Sequence, residues 1–385
     1  MHNVFSAKDS SLYAHYVIDG VRHDAAPAEL LQECMTGREE IQMEPAGDII
    51  DETLEPPLTS FTYDNASDKE YEDIQNRYAA ERGSEHRAFN ILYPEHTTRL
   101  AIAASLMDML WKKGHFRLGD LQVNLDWQWN WKEMPVGSMA AFYASVRSAC
   151  EYIYDLGLRI SAFSTADARP YARFGTGVSL HVTEESGDIA MPFESRHPWM
   201  EDERAVPDHI DGHDDDSWVI YIPFDTCSYK LGGSLLAESF GHNGGVAPSI
   251  QDPDYFIDCY EVVRELVEDG IITAAATVAD GGLMYALSGF AKVHGIDVDI
   301  RGLMSSYQTE DTTKVLFSEV PGVLMSINDR DFDYVDSQFL LQDVAYYPIG
   351  RISAGQTGIR MVRSSRSGIS DILTSLLAQA SEGED

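Results

Sequence analysis

Between Glu95 and Val182 the apolar residues change period three times, and that pattern constrains the fold more than any other feature of the chain. Across 96–113 they fall at Leu100, Ala103, Ala104, Met107, Leu110 and Trp111, the spacing of one helical face. Across 119–127 they alternate as Leu121, Val123, Leu125 and Trp127, the spacing of a strand with one buried face. The stretch 138–156 returns to helical spacing and is closed by Gly157. A short strand is expected at 178–182. Elements of these two periods in alternation bury their apolar sides on each other, so the expected class is α/β (α+β).

The same reading extends along the chain. It gives a strand-like run at 11–21, a short helix at 28–35, a loop or linker at 44–58, and a charged helix or exposed loop at 67–85. Beyond the middle it gives a strand at 218–223, a helix at 255–269 stopped by Gly270, and a helix at 281–294. Strands are expected at 297–300, 314–318 and 323–327, then a helix at 331–343 and a strand at 346–352. Residues 184–216 carry Pro192, Pro198 and Pro207 and end in Asp214-Asp215-Asp216, a boundary loop. The expected organisation is an extension at 1–50, a domain at 51–183, an acidic linker at 184–216, a domain at 217–360 and a tail at 361–385. That division suits 385 residues.

Charge excludes some partners. With 28 Lys+Arg against 63 Asp+Glu the net charge is −35, and no local basic patch interrupts it. Such a chain repels nucleic-acid phosphates and anionic lipid, so neither partner is expected. Cys34, Cys150, Cys227 and Cys259 form no CxxC and suggest neither a zinc site nor a disulfide framework. There is no basic-then-apolar leader pattern. The longest apolar stretch, 101–111, contains Asp108 and is too short to span a bilayer. A soluble, cytoplasmic protein is expected.

Several short segments stand in a definite order. They are LGDLQVNLDW at 118–127, FYASV at 142–146 leading to LGL at 156–158, YKLGGS at 229–234, ADGGL at 279–283, LFSEVPG at 316–322 and IGRI at 349–352. In this order they resemble "D-I-K-L-S-A-N-W", "L-Y-D-A-V…A-L-G-I", "L-G-G-S", "S-D-G-G-L", "L-F-S-E-x-x-G" and "I-G-x-V" of the AIR synthase/phosphoribosylformylglycinamidine (FGAM) synthase superfamily. The likeness covers about 88–355 and is nearest the second synthase half of the large FGAM synthases.

The resemblance implies an AIR-synthase-like N-terminal domain packed on an AIR-synthase-like C-terminal domain. It implies a ligase of purine biosynthesis, with ATP and magnesium as cofactors and formylglycinamide ribonucleotide, a phosphoribosyl substrate, as the group amidinated. Phosphoryl transfer of this kind needs positioning and charge neutralisation. Gly232, Gly233 and Ser234, together with Asp280, Gly281 and Gly282, are the implied phosphate-binding residues, because glycines let backbone N–H groups approach phosphate. Asp108 and Glu319, the latter expected at a strand end, are the implied metal ligands. The structural alternative for these residues is a pair of tight turns and one exposed glutamate. Single-half relatives pair across a shared barrel, which implies a homodimer or a partner synthase half.

Departures from the family pattern point the other way. The family's "G-E-A-x-x-N" helix places Ala104 and Asp108 where its glutamate and asparagine stand. "H-D-x-S-D-G-G" is reduced to ATVAD at 276–280, and "G-K-D-S-L-S" becomes FSTADA at 163–168, without the lysine. The "L-Y-D-A-V" aspartate is Ala144. Losing these groups removes charge neutralisation that positioning does not replace. The alternative reading is therefore a catalytically inactive homologue with a structural, assembly or regulatory role, such as viral reuse of the fold.

Two other features have bland readings. His209-Ile210-Asp211-Gly212-His213 and the aspartates after it have the composition of a metal cluster, but a solvated acidic loop is expected. Trp127, Trp129 and Trp131 share one face of an extended segment, for which packing is expected over base stacking.

Overall fold

The computed structural model describes residues 10–35, 49–54, 88–114, 116–129, 135–167, 171–180, 204–210, 217–239, 245–353 and 357–361. The expected charged stretch at 67–85, Trp131, the cluster beyond Ile210 and the tail lie outside them.

The first part builds two small sheets. After the single turn α1 (Ser10–Tyr13), β1 (His15–Ile18) and β2 (Val21–Arg22) form an antiparallel hairpin. Asp19 and Gly20 turn it with φ of 53° and 77°. β3 (Ile49–Glu52) adds alongside β1 in parallel, and α2 (Pro27–Cys34) lies between them in sequence. The second sheet has the order β5-β4-β6, with β4 at Leu121–Trp129, β5 at Ile160–Asp167 and β6 at Arg173–Leu180. β4 runs parallel to β5, joined through α4 (Ser138–Asp155), and antiparallel to β6.

The alternation in β4 has the consequence its spacing implies. Leu121, Val123, Leu125, Trp127 and Trp129 are buried, while Gln122, Asn124, Asp126 and Gln128 lie half-buried on the opposite face. The indole N–H groups find partners on α4: Trp127 Nε1 donates to Ser145 Oγ at 2.9 Å and Trp129 Nε1 to Ser138 Oγ at 3.0 Å. α3 (Pro94–Leu110) packs beside α4, with Thr98 Oγ1 and Ser145 Oγ 2.7 Å apart. Glu52 of β3 accepts from Met139 N and Ala140 N at 2.9 and 3.2 Å, placing a carboxylate at the positive end of α4.

The second part is one six-stranded sheet, β12-β9-β11-β7-β10-β8. Its strands are β7 (Trp218–Pro223), β8 (Ile272–Val278), β9 (Gly295–Val298), β10 (Gly322–Ile327), β11 (Tyr347–Ser353) and β12 (Ile359–Met361). Every residue of β10 is buried, as a strand covered on both faces must be. Ile220, Ile222, Val323 and Met325 face a core shared with α3, α4 and α6 (Pro253–Glu268). Val219, Tyr221 and Leu324 face the opposite way, toward α7 (Gly282–Phe290), α8 (Arg301–Ser306) and α9 (Thr312–Phe317). α10 (Phe332–Leu341) completes the first face through Val335 and Phe339. The first core is continuous from Trp127 to Phe256, so the two parts share one apolar interior.

Several expectations are corrected. Residues 314–318 are not a strand but lie in α9, because Asp311 Oδ1 accepts from Lys314 N at 3.2 Å and caps the turn. The expected strand at 11–21 is cut to β1 by α1 and the hairpin turn. The helix expected over 281–294 ends at Phe290. FSTADA, aligned with a family loop, falls mostly within strand β5, and the loop at 44–58 contains β3. β8, α8 and the short α5 (Leu235–Ser239) were not anticipated.

Candidate functional site

The two glycine segments and the LFSE segment, drawn from 84 residues of chain, meet at one carboxylate. Glu319 has no accessible surface. Its Oε1 accepts from Leu235 N at 2.8 Å and from Gly281 N at 2.9 Å, tying the turn before α5 to the turn before α7. One residue earlier, Ser318 Oγ accepts from Lys230 N at 2.9 Å and donates to Lys230 O at 2.7 Å. Ser234 is buried. Its Oγ donates to Leu231 O at 2.7 Å and accepts from Ala237 N at 3.2 Å.

The glycines are demanded by close backbone packing. A Cβ on Gly232 would meet Val246 C at 2.5 Å and Gly245 O at 2.7 Å. One on Gly233, at φ 74°, would meet the Tyr93 ring at 2.9 Å. One on Gly282, at φ 67°, would meet Leu316 O, Phe317 C and Ser318 O, each at 2.8 Å. These cradles are filled by the protein's own atoms. Tyr93, over Gly233, donates its hydroxyl to Gly245 O at 3.0 Å, and burial pushes its pKa up to about 12. Asp280 is exposed at the tip of its turn.

Glu319 therefore departs from its expected place. It follows a helix instead of ending a strand, and it faces backbone amides instead of projecting outward. Asp108 lies elsewhere, on the last turn of α3. Thr277 Oγ1 donates to its Oδ1 at 2.5 Å, and Trp111 Nε1 donates to Thr277 Oγ1 at 2.9 Å. Thr277 lies on β8, three residues before Asp280 in the turn that follows, so this strand links the two places. Asp108 is exposed to solvent, with protein packed around it. That surrounding raises its pKa, while the Thr277 hydrogen bond and the charges of Arg204 and Lys112 oppose the rise. Arg204 is anchored by Val206 O and Ala275 O at 2.9 and 2.8 Å, and its own pKa is lowered chiefly by burial.

Among the described residues, no group of three or more His, Cys, Asp or Glu side chains is arranged to hold a metal ion. Asp108 has cationic neighbours, and Glu319 is engaged by two amides. These residues do not fit a magnesium cage.

A concave surface that motif reading missed lies on the open face of β5-β4-β6. It is a cavity of about 330 Å³ lined by Asn124, Asp126, Phe163, Ser164, Gly175 and Gly177, among others. Asp126 accepts from Ser164 Oγ at 2.5 Å and from Gln128 Nε2 at 2.7 Å. The signal was present in the sequence: polar residues at the even positions of β4 opposite a Gly-x-Gly strand, whose missing side chains leave the hollow. No helix among the described residues is long and apolar enough to cross a membrane.

No family model matches the chain. Curated relatives do. A probable chloroplastic/mitochondrial phosphoribosylformylglycinamidine synthase of Arabidopsis thaliana is 25% identical over 266 residues, 68% of this chain and 18% of its own length. The human phosphoribosylformylglycinamidine synthase is 24% identical over 285 residues, 72% of this chain and 20% of its own. The chain thus spans about a fifth of the length of these relatives. Among solved structures, T. maritima PurL complexed with FGAR superposes with a TM-score of 0.50 at 11% identity, covering 76% of this chain and 48% of that one. The chain is a divergent relative of the FGAM synthases and carries their AIR-synthase-like fold.

Proposed function

We propose that this chain is a single FGAM-synthase-like half that keeps the fold-bearing part of the family's motifs and has lost the part that carries phosphoryl transfer. On this reading the isolated chain does not turn over ATP and acts in a structural, assembly or regulatory role. The observation that carries it is the packing at Glu319. Gly232, Gly233 and Gly282 are crowded by protein atoms, and the carboxylate that would face a metal closes on two backbone amides. The absence of the family's lysine and carboxylates supports the same reading. The two synthase-like domains proposed are 51–183 and 217–360.

A second reading, an ATP-dependent ligase of purine biosynthesis, is favoured by one observation: the exposed Asp108 lies within the field of Arg204 and Lys112. In that case Asp108, Asp280 and the polar hollow at Asn124 and Asp126 would receive the nucleotide and the phosphoribosyl substrate. The hollowed sheet face is also the surface we assign to a second copy or a partner synthase half. The test is ATP consumption by the purified chain with magnesium, ammonium and formylglycinamide ribonucleotide. The expected result is no turnover above background. Turnover abolished by Asp108→Asn would overturn the first reading and establish the second.

A further inference from the structure

Two of the four cysteines, 116 residues apart, are brought into contact by the packing of α2 on α4. Cys34 is the last residue of α2 and is half-buried. Cys150 lies on α4, buried behind it. Cys34 Sγ donates to the Cys150 carbonyl oxygen at 3.6 Å. The other two cysteines have different surroundings: Cys259 Sγ donates to Pro223 O at 3.6 Å in the core, and Cys227 sits at the Asp225 turn. We propose that Cys34 and Cys150 form a reversible disulfide that staples the N-terminal unit to α4, closed by a low-molecular-weight disulfide of the glutathione type.

The order of events follows from exposure. The Cys34 thiolate attacks one sulfur of the small disulfide, forming a mixed disulfide and expelling one small thiolate. Cys150 then loses its proton and attacks the Cys34 sulfur, forming the internal bond and expelling the second small thiolate. Two protein thiols are oxidised and one small disulfide is reduced to two thiols. The Cys150 hydrogen bond lowers the pKa of Cys34, against the opposing effects of burial and Glu33. The same contact and burial raise that of Cys150. Cys34 is thus the attacking group and Cys150 the resolving one. The bond ties α2, and through it the β2-β1-β3 sheet, to the helix that covers the tryptophan face of β4. This inference is independent of whether the chain turns over ATP.

The test uses the full chain, incubated natively with oxidised glutathione, alkylated, digested and mapped by mass spectrometry. The expected result is the loss of two of the four thiols and a peptide linking Cys34 to Cys150. Cys150→Ser should instead accumulate glutathione on Cys34. Cys34→Ser should leave Cys150 free. Closure of so long a loop should raise the melting midpoint by about 6 °C, reversibly on reduction. Four free thiols after oxidation, a stable Cys34–glutathione adduct in the wild type, or a link made through Cys227 or Cys259 would each overturn the proposal. Cys150→Ala repeats the adduct test if the serine variant folds poorly.

Discussion

Gly282 and Gly270 share a backbone φ of 67°, yet their surroundings are opposite. A Cβ on Gly270 meets nothing within 4 Å, whereas one on Gly282 meets three backbone atoms at 2.8 Å. Gly270→Ala therefore isolates left-handed strain, about 1 kcal/mol, part of which is offset by the stiffer unfolded chain. Gly282→Ala adds crowding against backbone that cannot swing aside, a further 2 kcal/mol or so, for a total of about 3 kcal/mol. With an unfolding entropy of about 2 cal/mol/K per residue, a chain of this length converts those costs to about 4 °C for Gly282→Ala and about 1 °C for Gly270→Ala. Chemical denaturation followed by tryptophan fluorescence, with thermal melts alongside, measures both. If Gly282 instead makes room for a phosphate, the two alanine variants would lose equal stability and only Gly282→Ala would lose nucleotide binding. That outcome would refute the argument that the glycine serves packing.

Glu319→Ala strips two buried amides of their acceptor and should cost about 3 kcal/mol or more, while Glu319→Gln, which keeps an acceptor oxygen, should cost distinctly less; denaturation midpoints give the order. For Asp108 the folded pKa is raised above the unfolded one, so its contribution to stability is fully present below the ordinary carboxylate range and is lost as pH rises through the folded value. Asp108→Asn should thus gain on the wild type as pH rises from about 4 toward neutrality, read from midpoints across that range. Arg99 donates to Ser148 Oγ at 2.8 Å and to Ile250 O at 2.7 Å, joining α3 to α4 and to the segment before α6. Arg99→Ala should lower the denaturation midpoint measurably more than alanine at the exposed Arg330, whose ion pair is with its neighbour Asp331.

The elements legible in the sequence are those whose pattern and burial agree. β4 alternates strictly because one face meets α4 and the other is open. α3, α4 and α6 are long, and α4 and α6 end at Gly157 and Gly270. Where the reading failed, a local contact decided the matter. Residues 314–318 read as a strand, but the Asp311 cap holds 312–317 in a helical turn. β8 is alanine-rich and carries weak strand propensity. It forms because β10 pairs with one edge while Pro207 O accepts from Ala275 N at 2.8 Å on the other. β5 hides because Ala162, Ser164 and Ala166 face the open side and supply no apolar alternation. Of the candidate site, the order of the motifs was readable, but their meeting at Glu319 was not. Burial of a carboxylate under two amides is a tertiary fact, and no spacing encodes it.

The positions that match the family and those that depart from it differ in what the structure asks of them. Gly233, Gly281 and Gly282 have positive φ, and any side chain at Gly232 or Gly282 would collide with backbone. Glu319 terminates two amides that have no water to turn to. Trp127 and Trp129 are wholly buried with their N–H groups bonded. Replacements at such positions destabilise the chain. The family's lysine, serine and extra carboxylates fall at Ser164, Ala279, Ala104, Ala144, Thr165 and Thr277, which carry small or hydroxyl side chains here. A chain freed from turnover, as proposed above, would keep the first set and lose the second. The motif set is therefore strong evidence of fold and weak evidence of chemistry. Activity is best tested at Asp108 and on the open face of β4, whose polar side chains lie outside the buried core.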